Sequence, residues 1–182
     1  GAPAAKPLPA ARRAIPMAAV VDAALGLLTR NAKRDRDRLK TRTLLAKTKR
    51  KDLEGDAAPL RNWYLSERDA DTYALLKAYF ATVEEQLWSG DKALLTRAVD
   101  IRALGDFLAD VVRQLAEGKQ AEVVSSVVAT SKKVFAKAKA VDFDDPFFEA
   151  NYVGRRRVEN ALRILSGEKI LVTAPAKQGD EV

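Results

Sequence analysis

At 182 residues, 47% apolar and 31% charged, the chain can fill one domain core, and no apolar run approaches the ~18 residues a spanning helix needs. It contains neither cysteine nor histidine, which excludes disulfide frameworks, Cys/His zinc sites, cysteine nucleophiles and every Ser-His-Asp arrangement. The net charge of +7 is unevenly spread: residues 30–51 hold eleven Lys or Arg against Asp35 and Asp37, a local +9 that leaves −2 for the rest.

Residues 1–14, with Pro3, Pro7 and Pro9 among alanines, read as a disordered linker or tag remnant. Arg12-Arg13 before an apolar stretch superficially suggests a signal peptide. Asp22 interrupts that stretch and no small-residue cleavage pattern follows, so the expectation is a cytoplasmic protein. A first helix is predicted from Pro16 to about Asn31, with Met17, Val20, Val21, Ala24, Leu25 and Leu28 as its apolar face.

The basic segment comes next, and two conformations compete for it. Its composition favours helix. However, Arg34, Arg36, Arg38, Lys40 and Arg42 alternate at period two, and an extended arm would set all five on one side. These five, followed by Lys47, Lys49, Arg50 and Lys51, are the candidate phosphate contacts, since several cations on one element give salt-sensitive affinity for nucleic acid. An acidic protein surface is the alternative partner, and a solvated charged face is the plainest reading. A membrane surface is disfavoured because the segment lacks bulky aromatics.

Beyond a loop around Pro59, Ser66 and Asp69 have capping-box spacing and open a predicted helix. It carries Tyr73, Leu76, Tyr79, Phe80, Val83, Leu87 and Trp88 on one side, and Ser89-Gly90 stops it. Asp91 is expected to cap a short helix through Leu94 and Leu95. Asp100 begins another, striped by Ile101, Leu104, Phe107, Leu108, Val111, Val112 and Leu115 and stopped by Gly118. From Gln120 to Lys139 the stripe is Val123, Val124, Val127, Val128, Val134 and Phe135, although its β-branched density weighs against an unbroken helix. Asp145-Pro146 reads as a cap and first helical residue, and a final helix runs from about Arg155 to Ser166, stopped by Gly167. Residues 168–182 read as a flexible tail. The expected architecture is all-α, a compact array of six to seven helices forming one domain over 15–167, possible also as a fragment of a larger α/β protein.

No Gly-rich phosphate loop is present. Asp142, Asp144, Asp145 and Glu149 could supply oxygens to a hard cation, but cap-plus-loop is the favoured reading and no metal or other cofactor is expected. Arg155, Arg156 and Arg157 sit where the helix dipole disfavours cations, so a phosphate or an acidic neighbour such as the 142–145 loop should relieve them; they are possible secondary phosphate contacts. Trp63, Tyr64 and Trp88 could stack bases, with core packing the favoured alternative.

Three stretches, LLKAYFATVEEQLW (75–88), ALLTRAVDIRALGDFLADVV (93–112) and DFDDPFFEANYVGRRRVENAL (142–162), together resemble the C-terminal helical half of the DGQHR-domain proteins. That family includes regulators tied to bacterial DNA phosphorothioate modification and phage defence. The DGQHR pentapeptide itself does not occur here, so no functional residue carries over from it. The resemblance implies a helical half without its ParB/sulfiredoxin-like partner. Together with the basic segment it leads to the expectation of a non-enzymatic module binding nucleic acid, DNA ahead of RNA. The alternative is an assembly module docking an acidic partner subunit.

Overall fold

The computed structural model describes residues 15–40, 49–89, 93–115 and 120–167. The expectations for 1–14, 168–182, Arg42, Lys47, Asp91 and Gly118 therefore lie outside the described residues. Among the described residues seven α-helices follow in order: α1 (Met17–Leu28), α2 (Ala32–Lys40), α3 (Arg61–Leu65), α4 (Asp69–Val83), α5 (Ala98–Leu115), α6 (Gln120–Ala138) and α7 (Tyr152–Ser166). A π-helical turn, Glu84–Trp88, extends α4, and short 3₁₀ turns occupy Arg50–Asp52 and Pro146–Phe148. No strand occurs among the described residues. The all-α expectation holds.

Helix α5 is the centre of the array and packs against α1, α6 and α7, while α4 packs on α6. Its predicted stripe is the buried one: Ile101, Leu104, Phe107, Leu108, Val111 and Val112 are all inaccessible or nearly so. Tyr79 of α4 crosses to it and donates its hydroxyl to the Leu104 carbonyl at 2.7 Å. Burial pushes the Tyr79 phenol well above its ordinary value, so it stays neutral and keeps donating. Phe135 of α6 closes the aromatic centre, 6.1 Å from Tyr79 and 6.0 Å from Phe107 between ring centroids. Helix α6 is unbroken despite its valines, because Val123, Val127 and Val134 are buried and tertiary packing outweighs a small propensity deficit.

Three local expectations fail, each for a physical reason. In α1 half of the predicted apolar face, Met17, Val21 and Leu25, is exposed, whereas Ala19 and Leu27 are buried. Small residues set this choice: a Cβ on Gly105 of α5 would lie 2.6 Å from the Ala23 Cβ, so the two backbones approach at a Gly–Ala contact that no larger side chain permits. Ser66 does not cap α4. It closes α3 by donating its backbone N–H to the Asn62 carbonyl at 3.0 Å, and Asp69 instead pairs with Arg50 at 2.5 Å. Residues 93–97 form no helix; Leu95 takes a left-handed φ of 55°, and the chain enters α5 directly. There Asp100 accepts the Arg97 backbone N–H at 3.0 Å and its guanidinium at 2.8 Å, which satisfies the first helical turn.

The C-terminal elements follow the sequence closely. Asp145 accepts the Phe147 N–H at 2.7 Å and caps the 3₁₀ turn begun by Pro146. Helix α7 starts three residues earlier than predicted because Asn151 caps it, accepting the Gly154 N–H at 2.9 Å. Gly167 ends it at φ 96°, a left-handed position suited to glycine. No described helix is long and apolar enough to cross a membrane.

Candidate functional site: a charged cleft between α1, α5 and α7

The basic segment is helical where it is described. On α2 the period-two arginines splay around the axis, since successive residues turn by about 100°, and the extended-arm alternative does not hold for residues 32–40. Most are also tied to acids. Arg34 lies 3.8 Å from Asp35, Arg38 3.3 Å from Glu54 and Arg36 3.5 Å from Asp37. Arg50 pairs with Asp69 and covers the Tyr64 ring at 4.9 Å. Lys49 and Lys51 are on the surface.

The segment is anchored by a buried ionic knot that the sequence did not disclose. Asp35 and Arg61 are each 2% exposed and form an ion pair. The guanidinium also donates to the Glu54 carbonyl, Nε at 3.0 Å and Nη2 at 2.5 Å. Thr29 donates its hydroxyl to Asp35 at 2.7 Å, and Asp56 accepts the Arg30 N–H at 3.0 Å and the Ala58 N–H at 2.8 Å. Burial pushes the Asp35 carboxyl up, but hydrogen bonds from Arg61 and Thr29 and the charges of Arg61 and Arg34 outweigh it, so its pKa is lowered. Asp56 is lowered too: burial raises it, while the Arg30 and Ala58 N–H groups, Arg61 and Thr29 more than offset that.

This knot fixes Arg30 at the end of α1, where it opens onto a cleft shared with α5 and α7. The larger lobe, about 480 Å³, is lined by Asp22, Arg30, Arg102, Asp106 and Arg155 around the Gly105–Ala23 contact. The smaller lobe, about 230 Å³, is lined by Arg30, Arg113, Tyr152, Arg155, Arg156 and Arg163 with Asp106, Asp110 and Glu159. Arg155 holds Asp106 with two hydrogen bonds of 2.7 Å, and this pairing raises its pKa against the opposing effect of burial. Arg113 and Arg163 share Asp110, and Arg156 and Arg163 both reach Glu159 at 3.0 Å. Arg30 is exposed and makes no ion pair among the described residues.

Among the three cations at the start of α7, Arg155 is relieved by Asp106 of α5 and Arg156 by Glu159 of α7 itself. Arg157 turns to the preceding loop, where it lies 3.9 Å from the Glu149 carboxylate, donates to the Phe147 carbonyl at 2.8 Å and stacks on the Phe147 ring at 4.4 Å. No group of three or more potential ligands among the described residues is placed to hold a metal ion. The predicted stacking residues are engaged elsewhere: Trp63 is buried under Arg68 at 4.4 Å, Tyr64 is flanked by Arg50 and Arg61, and Trp88 packs on the core. Tyr152 escaped the sequence reading because it lay just ahead of the predicted helix.

Glu159, only 2% exposed, makes the cleft pH-sensitive. Burial and Asp106, with Asp110 adding, push its carboxyl above 4.5 against the pull of Arg156 and Arg163. The folded state thus holds this proton more tightly than the unfolded chain. The stability it contributes is full below about pH 4.5 and is lost as pH rises through the folded pKa. Glu159→Gln is expected to flatten the decline in Tm between pH 4.5 and neutrality. Thermal melts across that range check it, and an unchanged slope in the variant would refute the assignment.

A second concavity, about 520 Å³ and mostly apolar, lies between α1 and α2 and is lined by Leu25, Leu28, Ala32, Leu39 and Tyr64, with Lys33 and Arg36 at its edge. Comparison with known proteins yields no matching family model, no matching curated protein and no matching solved structure.

Proposed function

We propose that this chain is a non-enzymatic helical module that binds nucleic acid through its phosphates, DNA ahead of RNA. The observation that supports this reading is convergence. Arg30, the first residue of the basic segment, and Arg155 and Arg156, more than a hundred positions later, line one cleft. Five arginines face three carboxylates in its smaller lobe, a surplus suited to anionic groups. Lys33 and Arg36 follow Arg30 along the exposed side of α2 and extend the positive surface. Contacts of this kind position a backbone without reading bases. With the DGQHR-type resemblance, the proposed setting is bacterial DNA modification, defence or its regulation.

The test is fluorescence anisotropy with labelled oligonucleotides at low salt, comparing the wild type with Arg30→Gln/Arg156→Gln. Affinity is expected to fall by about tenfold at low salt, and the gap between the two proteins to narrow as salt rises, because each lost phosphate contact removes counterion release. Absence of any wild-type binding at low salt, or binding indifferent to the double change, would sink the proposal.

A second reading, docking of an acidic partner subunit, draws on the apolar groove. Its leucines, edged by Lys33 and Arg36, suit an amphipathic helix with acidic flanks. In that case Leu39→Glu, and not the arginine changes, would abolish the association.

A further inference from the structure

Three large aromatic side chains stand out in solvent: Tyr73 at 66%, Phe147 at 55% and Tyr152 at 70% exposure. Tyr73 lies on α4 and lines neither lobe of the charged cleft. Phe147 already has the Arg157 guanidinium over its ring. Tyr152 differs from both. It is the first residue of α7, it lines the smaller lobe with Arg30, Arg155 and Arg156, and no aromatic or guanidinium group covers its ring among the described residues.

An exposed ring beside a cationic groove is the pairing that recognises an unpaired base and its phosphate together, since every base offers a π-face and the adjoining cations hold the backbone. A duplex keeps its base faces inside the stack and would meet Tyr152 only with sugar and phosphate. Charge density points the same way. Double-stranded DNA carries a charge about every 1.7 Å along its axis, whereas the lobe's arginines are largely neutralised by Asp106, Asp110 and Glu159. The remaining surplus suits one or two phosphates. A 230 Å³ lobe likewise admits a single backbone unit and not a groove edge.

We propose that Tyr152 is a stacking platform at the rim of the arginine cleft and that the ligand class is single-stranded nucleic acid. The inference rests on the phosphate-binding reading above, and the two are separable. Anisotropy is measured for a short oligo-dT strand, for the same strand annealed to oligo-dA, and for displacement of each by inorganic polyphosphate. Oligo-dT is expected to bind more tightly than the duplex. Tyr152→Ala is expected to weaken it by about tenfold, the order of one lost base–aromatic stack, with polyphosphate binding unchanged and Tyr152→Trp restoring affinity. The high exposure of Tyr152 leaves the fold untouched by either change. If the duplex binds as tightly, or Tyr152→Ala leaves oligo-dT affinity unchanged while polyphosphate still binds, the stacking proposal falls and the phosphate reading stands. If neither oligo-dT, duplex nor polyphosphate binds, both fall.

Discussion

Replacing Arg61 by alanine is expected to lower the stability of the fold by about 3–5 kcal/mol, the usual consequence of leaving one member of a buried ion pair without its partner. For a domain of this size that is a fall in Tm on the order of 10 °C. The magnitude follows from what the guanidinium touches. It pairs with Asp35 at full burial, and it supplies two donors to the Glu54 carbonyl. Lysine cannot reproduce that planar fork, so Arg61→Lys should recover only part of the loss. Changing both members, Asp35→Leu with Arg61→Met, should cost less than Arg61→Ala, because the Asp35 carboxylate is then no longer left buried without its partner. The same knot sets the acid limb of stability. Asp35 and Asp56 have folded pKa values below the ordinary 3.8. Their contribution is present above that value and is lost as pH falls through the lower folded pKa. Denaturant melts of Arg61→Ala at neutral pH and pH 3 check both points: the variant should show a smaller acid loss than the wild type.

The second large effect is expected at Gly154→Ala. Gly154 is buried in the first turn of α7, and an ideal Cβ there would lie 1.7 Å from the Glu149 carbonyl oxygen and 2.6 Å from its carbon. Backbone atoms cannot rotate aside as a flexible side chain would. Either α7 begins later or the 146–151 segment lifts away, and Phe148 is drawn from the core with it. A loss of about 3 kcal/mol is expected, at the upper end of overpacking costs. The functional consequence is separate. Tyr152, Arg155 and Arg156 sit within two residues of the clash, so the cleft should lose its geometry even where the fold survives. Thermal melting reads the first effect and polyphosphate binding the second. A variant with wild-type Tm would show that the Glu149 backbone yields easily.

The helical framework was legible because burial writes a periodic signal. The α5 stripe, the Asp145-Pro146 start and the Gly167 stop could be read residue by residue. Which face of α1 turns inward could not. That helix is apolar nearly all round, and the decision belongs to Gly105, some eighty residues away, whose missing side chain accepts Ala23. Charge counting failed in a different way. Asp35 looked like one acid in a basic surface stretch, yet it is the buried partner of Arg61, an arginine at the start of a five-residue helix with no pattern to mark it. The acids that temper the segment, Glu54 and Asp56, lie just beyond the window in which its excess was summed. The local sum was correct, but it overstated the charge free to meet a ligand. The cleft itself was invisible for the same reason: Arg30 and Arg155 become neighbours only when α1 and α7 both pack on α5.

The claim that these converging arginines hold a nucleic-acid backbone is tested most directly by the salt dependence of oligo-dT binding. For single strands, log K falls against log salt by about 0.7 for each phosphate neutralised. Arg30→Gln/Arg156→Gln should therefore reduce the magnitude of the slope by about 1.4 relative to the wild type. An identical slope in the two proteins would contradict the account, because the cleft arginines would then carry no phosphate contact.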